Sequence, residues 1–120
     1  MQNFAEKKLK QGGTWIFIHE SLDFNNSDLQ KYCIEQDIET SAIKIDVSAT
    51  YIYVISIYRS PTGDFANFIK GMDAILNQLC KPNREIILCG DINVNNLDEN
   101  CNKRRQLDTL FATYNLISTI

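Results

Sequence analysis

The sequence lacks the residues that mark several large classes of protein. Its single histidine, His19, has no H-x-x-x-H partner, and the cysteines Cys33, Cys80, Cys89 and Cys101 contain no C-x-x-C pair. That spacing argues against a structural zinc site. Cys33, Cys80 and Cys89 stand among apolar neighbours, which reads as free thiols in a reducing compartment. No apolar run approaches the roughly 18 residues of a membrane span, and the amino end shows no secretory apolar region. The expectation is a soluble, intracellular protein with no membrane partner. Charge of one sign is also scarce. A net charge of −3 gives no global attraction to nucleic acid or anionic membrane. A polyanion partner would need a local basic patch: Lys7, Lys8 and Lys10, or Lys103, Arg104 and Arg105. The plainer reading of both runs is a solvated face.

What is present fits one globular unit. The 120 residues are 44% hydrophobic and 22% charged, a composition that folds rather than staying disordered. A chain of this length is one domain at most, spanning 1–120, and buries roughly two-thirds of its unfolded surface. No internal repeat or low-complexity segment interrupts it.

The elements follow from periodicity and punctuation. Gly12-Gly13 opens a strand over Thr14 to His19, preceded by a lysine-rich segment read as loop. Ser27 reads as an N-cap with Gln30 as its capping-box partner, opening a short helix through Tyr32 and Cys33. Residues Ala42 to Val47 alternate, with Ile43, Ile45 and Val47 on one face. After the tight connection Ser48-Ala49-Thr50, Tyr51 to Tyr58 is almost wholly apolar, so the pair reads as an antiparallel hairpin. Pro61 and Gly63 break that strand. Asp64 then caps a helix from Phe65 to about Cys80, with a core stripe of Phe65, Phe68, Ile69, Met72, Ile75, Leu76 and Leu79. A polar loop from Asn93 to Asn102 leads to a last helix near Lys103, with Leu107, Leu110, Phe111 and Tyr114 inward. Ile117 to Ile120 reads as the start of another strand.

The most informative stretch is Arg84-Glu-Ile-Ile-Leu-Cys-Gly-Asp-Ile-Asn93. Ile86 to Cys89 is an apolar run of the kind buried on both faces of a sheet. Gly90 lets the backbone turn, and Asp91 and Asn93 leave the core together as a carboxylate and an amide. An acceptor-only anion beside an amide suits an attacking water, a hard cation or a phosphate oxygen. The same residues also suit a simple Asx-turn, in which both serve only the backbone.

Two motifs then occur in order: Tyr58-Arg-Ser-Pro61 at a strand end and Gly90-Asp-Ile-Asn93 one helix later. With Gly12-Gly-Thr-Trp-Ile-Phe-Ile18, Asn95 and the Arg104-Arg-Gln-Leu-Asp-Thr-Leu110 helix, they resemble the endonuclease/exonuclease/phosphatase superfamily. The narrower similarity is to the endonuclease domain of insect-type, jockey-like non-long-terminal-repeat retrotransposons. This resemblance implies an α/β fold, the DNase I-like two-sheet α/β sandwich, incomplete at both ends of this chain. It implies magnesium-dependent hydrolysis of phosphodiesters in DNA, in the nucleus where the element is functional, with no small-molecule cofactor. Asp91 would orient and deprotonate water, Asn93 would hold phosphate or metal, and Tyr58 would contact the scissile phosphate. Asp91 and Asn93 would be the metal ligands. Arg59 would meet a phosphate or, more simply, a neighbouring carboxylate; Asn95 reads as loop structure first.

The resemblance also implies partners that the motifs here do not supply. The family takes a metal-binding glutamate from an early strand, and the one early glutamate, Glu6, reads as a solvated surface charge. Its late Asp and terminal Ser-Asp-His motif have no counterpart here, and His19 lies too early to substitute. Losing one charge-stabilising donor costs about 3 kcal/mol in such sites, and losses within one catalytic unit are not made good by the survivors. The expectation is a fragment of a retrotransposon-type endonuclease with catalysis absent or impaired. The alternative is a domesticated, non-catalytic nucleic-acid-binding module that uses Lys103, Arg104 and Arg105.

Overall fold

The computed structural model describes residues 6–11, 14–19, 23–94 and 102–117. Two strands, β1 (Glu6–Gln11) and β2 (Thr14–His19), pair antiparallel as a hairpin. The segment read as loop before Gly12 is therefore a strand. Its alternation of lysines with Leu9 is weak, and only pairing with the strongly apolar β2 defines it.

A second sheet holds four strands in the order β3 (Phe24–Ser27), β4 (Glu39–Val47), β5 (Thr50–Tyr58) and β6 (Arg84–Asp91). Neighbours β3, β4 and β5 run antiparallel, whereas β5 and β6 are parallel. A parallel pair needs a crossover, supplied by α1 (Phe65–Leu79). The last helix is α2 (Asn102–Thr113). Among the described residues the architecture is mixed α/β, with a two-stranded hairpin, one mixed four-stranded sheet and two α-helices. Among the described residues no helix is long and apolar enough to cross a membrane.

The two sheet faces bury different partners. Ala42, Tyr53, Ile55 and Ile57 share one core with Phe68, Met72, Ile75, Leu76 and Leu79 of α1 and Leu107 and Leu110 of α2. On the other face Ile16 of β2 meets Ile43, with Phe24, Ile45 and Val54 around them. The β4–β5 hairpin forms as the alternation predicts, turning at Ser48 with φ 51°. Asp64 caps α1 by accepting the Asn67 N–H at 2.8 Å, an arrangement that typically stabilises a helix by about 1 kcal/mol.

Two further expectations change. Ser27 does not cap a helix but ends β3; a single 3₁₀ turn, Gln30–Tyr32, follows, and Asp28 Oδ1 accepts the Gln30 N–H. Competition from β4 for the 24–27 backbone wins over the local capping pattern. The apolar run Ile86–Cys89 is not buried on both faces. β6 is the edge of its sheet, β2 packs over β4 and β5, and Ile87 is 52% exposed. At the carboxyl end, Leu116 packs against the helical core while Ile117 is exposed without strand structure. Asn95, Cys101 and residues 118–120 lie outside the described residues, so the expected final strand does too.

Candidate functional site

The two motifs meet because β5 and β6 are parallel neighbours. Tyr58 and Asp91 are register partners at the last pair of the ladder, and the Arg59 N–H donates to the Asp91 carbonyl at 3.0 Å. Gly90 has φ +135°, and a Cβ there would lie 1.9 Å from the Ile57 carbonyl oxygen. Only glycine lets the two backbones approach this closely at that dihedral. The glycine thus places Asp91 directly against the Tyr58–Arg59 backbone.

Beyond Asp91 the chain makes the Asx-turn that its residue types allow. The Asn93 N–H donates to Asp91 Oδ1 at 3.0 Å, and Asn93 takes φ 57°. Asn93 Nδ2 donates to the Arg59 carbonyl. These bonds use one Asp91 oxygen and the Asn93 amide nitrogen. They leave Asp91 Oδ2 and Asn93 Oδ1 as the oxygens able to face a ligand. The turn and the site are therefore compatible readings of the same residues.

Among the described residues Arg59 does not make the expected salt bridge to a neighbouring carboxylate. Its side chain is 1% exposed and none of its hydrogen-bond partners is a carboxylate. Nε donates to the Ile92 carbonyl, Nη1 to the Gly63 carbonyl and Nη2 to the Asn93 carbonyl, each at 2.9 Å. The guanidinium carbon lies 5.3 Å from the Phe65 ring centroid. The planar fork suits this task, since its donors reach three fixed carbonyls at once.

The far side of the Tyr58–Asp64 loop is held by Asp37. Asp37 Oδ1 accepts the Asp64 N–H at 2.7 Å and Oδ2 accepts Asn67 Nδ2 at 2.9 Å. The Asn67 amide, then the Asp64 N–H, and more weakly the Arg59 charge hold this carboxyl below its ordinary range against a small opposing effect of burial. The Ser60 N–H donates to the Gln36 carbonyl at 2.8 Å. Asp37 carries no local motif. Its contacts reach 27 and 30 residues along the chain, and nothing in the pattern around Gln36 announces them.

A cleft of about 540 Å³ opens between the end of β6 and the first turns of α2. Its lining includes Arg59, Pro61, Asp91, Asn93, Lys103 and Arg104, with Leu107 and Phe111. Asp91 and Asn93 are exposed. Arg104 lies 3.8 Å from Asp108 one turn on, an exposed i,i+4 pair of small energetic weight. Tyr58 is half-buried and adjoins Asp91 along the ladder, but it does not line this cleft. Glu6 and His19 are backbone register partners at the open end of the β1–β2 hairpin. Among the described residues no three His, Cys, Asp or Glu side chains gather closely enough to hold a metal ion. The donor set at the strand end is one carboxylate and one amide oxygen. Such a set suits magnesium when waters and a substrate phosphate complete the shell.

No family model, curated protein or solved structure matches the chain.

Proposed function

We propose that the strand-end cleft is the Asp/Asn half of a magnesium-dependent site for phosphodiester hydrolysis in DNA. The chain would then be part of a DNase I-like, retrotransposon-type endonuclease domain that works in the nucleus. The observation that carries the reading is the convergence of Asp91 and Asn93, each with an oxygen to spare, on a cleft whose opposite wall bears Lys103 and Arg104. Acceptors for a hard cation and an attacking water face cations suited to a phosphate backbone.

In this reading Asp91 Oδ2 and Asn93 Oδ1 would hold the ion together, and the Asp91 carboxylate would orient a water near the phosphorus and take its proton. Magnesium held there would acidify such a water and neutralise phosphate charge. Lys103 and Arg104 hold the DNA backbone as charges. Tyr58, adjoining Asp91 but outside the cleft, would reach a phosphate lying across the strand ends. One carboxylate would give the ion little charge to bind, so hydrolysis would be slow or absent.

Supercoiled plasmid in magnesium tests this, with Asp91→Ala, Asn93→Ala and chelator controls. Slow nicking that all three controls abolish is expected. Nicking that survives Asp91→Ala, or the absence of both nicking and salt-sensitive duplex binding, would overturn it. The lining of the cleft by Lys103 and Arg104 also favours a second reading, a DNA-binding module without catalysis. That reading predicts binding whose salt slope falls by about one on Lys103→Ala, with no nicking at all.

A further inference from the structure

We infer that Arg59, nearly buried at the floor of the cleft, is a positioning residue that sets the geometry of Asn93 and Asp91. The inference rests on the divalent-cation reading of the cleft for its functional consequence. Its structural basis is independent of that reading. A buried guanidinium spanning the carbonyls of Gly63, Ile92 and Asn93 ties the loop after β5 to the loop after β6. The tie is reciprocal: the Asn93 side chain donates back to the Arg59 carbonyl, and the Arg59 N–H donates to the Asp91 carbonyl.

The consequence is geometric. Asn93 stands at φ 57°, a conformation that asparagine tolerates but that must be held. With both its carbonyl and its Nδ2 fixed by Arg59, Asn93 directs Oδ1 away from the clamp. The same φ brings its N–H onto Asp91 Oδ1, which fixes the carboxylate rotamer and leaves Oδ2 outward. Arg59 acts as outer-shell residues do around metal ligands, where their loss typically costs 10–100-fold in affinity. Lysine cannot replace the fork, because a point charge cannot bridge three carbonyls in one plane.

The test uses the ¹⁵N-labelled chain with manganese(II) alone as the probe. Wild type is expected to broaden first at the Ile92 and Asn93 amides and to show a slowly exchanging Arg59 Nε–H. Arg59→Lys and Arg59→Met are expected to keep the β4–β5 and α1 resonances. Both should lose the positive-φ coupling of Asn93, and manganese affinity at Asp91 should fall at least about tenfold. A folded Arg59→Met with unchanged Asn93 coupling and affinity overturns the inference while leaving the cation site intact. Manganese that never localises at Asp91 in wild type overturns the cation reading instead. If either variant unfolds, a fast-exchanging Arg59 Nε–H in wild type is the result that refutes the clamp.

Discussion

Replacing Gly90 with alanine probes the closest backbone approach at the site. The added Cβ would meet the Ile57 carbonyl oxygen at 1.9 Å and the Ile57 carbonyl carbon and amide nitrogen at 2.8 Å. These are main-chain atoms of the interior strand β5, which cannot swing aside as a side-chain end can. Two costs add. Holding a non-glycine residue at φ +135° costs about 1–3 kcal/mol, and relieving the overlap costs a similar amount, for a total of about 2–6 kcal/mol. Against a total stability of about 5–15 kcal/mol, that is a large fraction. Urea unfolding followed by circular dichroism should show a loss of unfolding free energy of that size, with a melting temperature lower by about 8–24 °C. Gly71→Ala is the comparison. Its nearest atom, at 2.9 Å, is the flexible Ile38 Cδ1, although the Tyr32 carbonyl lies 3.2 Å away. The gain of about 1 kcal/mol from replacing a helical glycine offsets part of that crowding, so its loss should be much the smaller. A Gly90→Ala protein within about 0.5 kcal/mol of wild type would refute the claim that this glycine sets the approach of β6 to β5.

Two further predictions concern pH. Because Asp37 has a folded pKa below its unfolded value, its stabilising contribution is present above about pH 4 and is lost as pH falls through the folded value. Asp37→Asn should therefore flatten the acid limb of the stability curve, measured by urea midpoints between about pH 5 and 2; an unchanged limb would contradict the Asp37–Asn67 bond. Tyr114 donates to Asp73 Oδ1 at 2.6 Å, and that bond, then burial and the Asp73 charge, push its phenol up to about 12. Its contribution is complete below about pH 10 and lost as pH rises through the folded value. Tyr114→Phe should remove the last phenol from an ultraviolet titration and reduce the stability loss between these limits.

Much of the scaffold was legible because local signals and tertiary demands agree. Asp64 is a polar cap before a helical stripe, and every strongly apolar position of that stripe is used. The Ile43/Ile45 alternation forecast a strand with two distinct faces, and Ile43 indeed packs under Ile16. Illegibility began where long-range pairing decided the outcome. β1 exists through its ladder with β2, Ser27 belongs to β3 because β4 lies beside it, and Ile86–Cys89 lies at an edge that an apolar run does not reveal.

The site divides in the same way. Residue type and spacing singled out Asp91 and Asn93 as candidates, and the strand-end cleft brings them together with Lys103 and Arg104. Tyr58 entered through the resemblance alone, and the ladder sets it beside Asp91 but outside the cleft. Arg59 was visible as a charged residue next to Tyr58, yet its burial and three carbonyl partners follow only from the parallel register of β5 and β6. Asp37 gave no local sign at all.

The central claim is that Asp91 and Asn93 present their remaining oxygens to a divalent cation. Anomalous diffraction from crystals soaked in manganese(II) tests it most directly. The account predicts one strong peak at inner-sphere distance from Asp91 Oδ2, with Asn93 Oδ1 turned toward it. A map with no peak there, or with Asp91 Oδ2 turned into the protein, would contradict it.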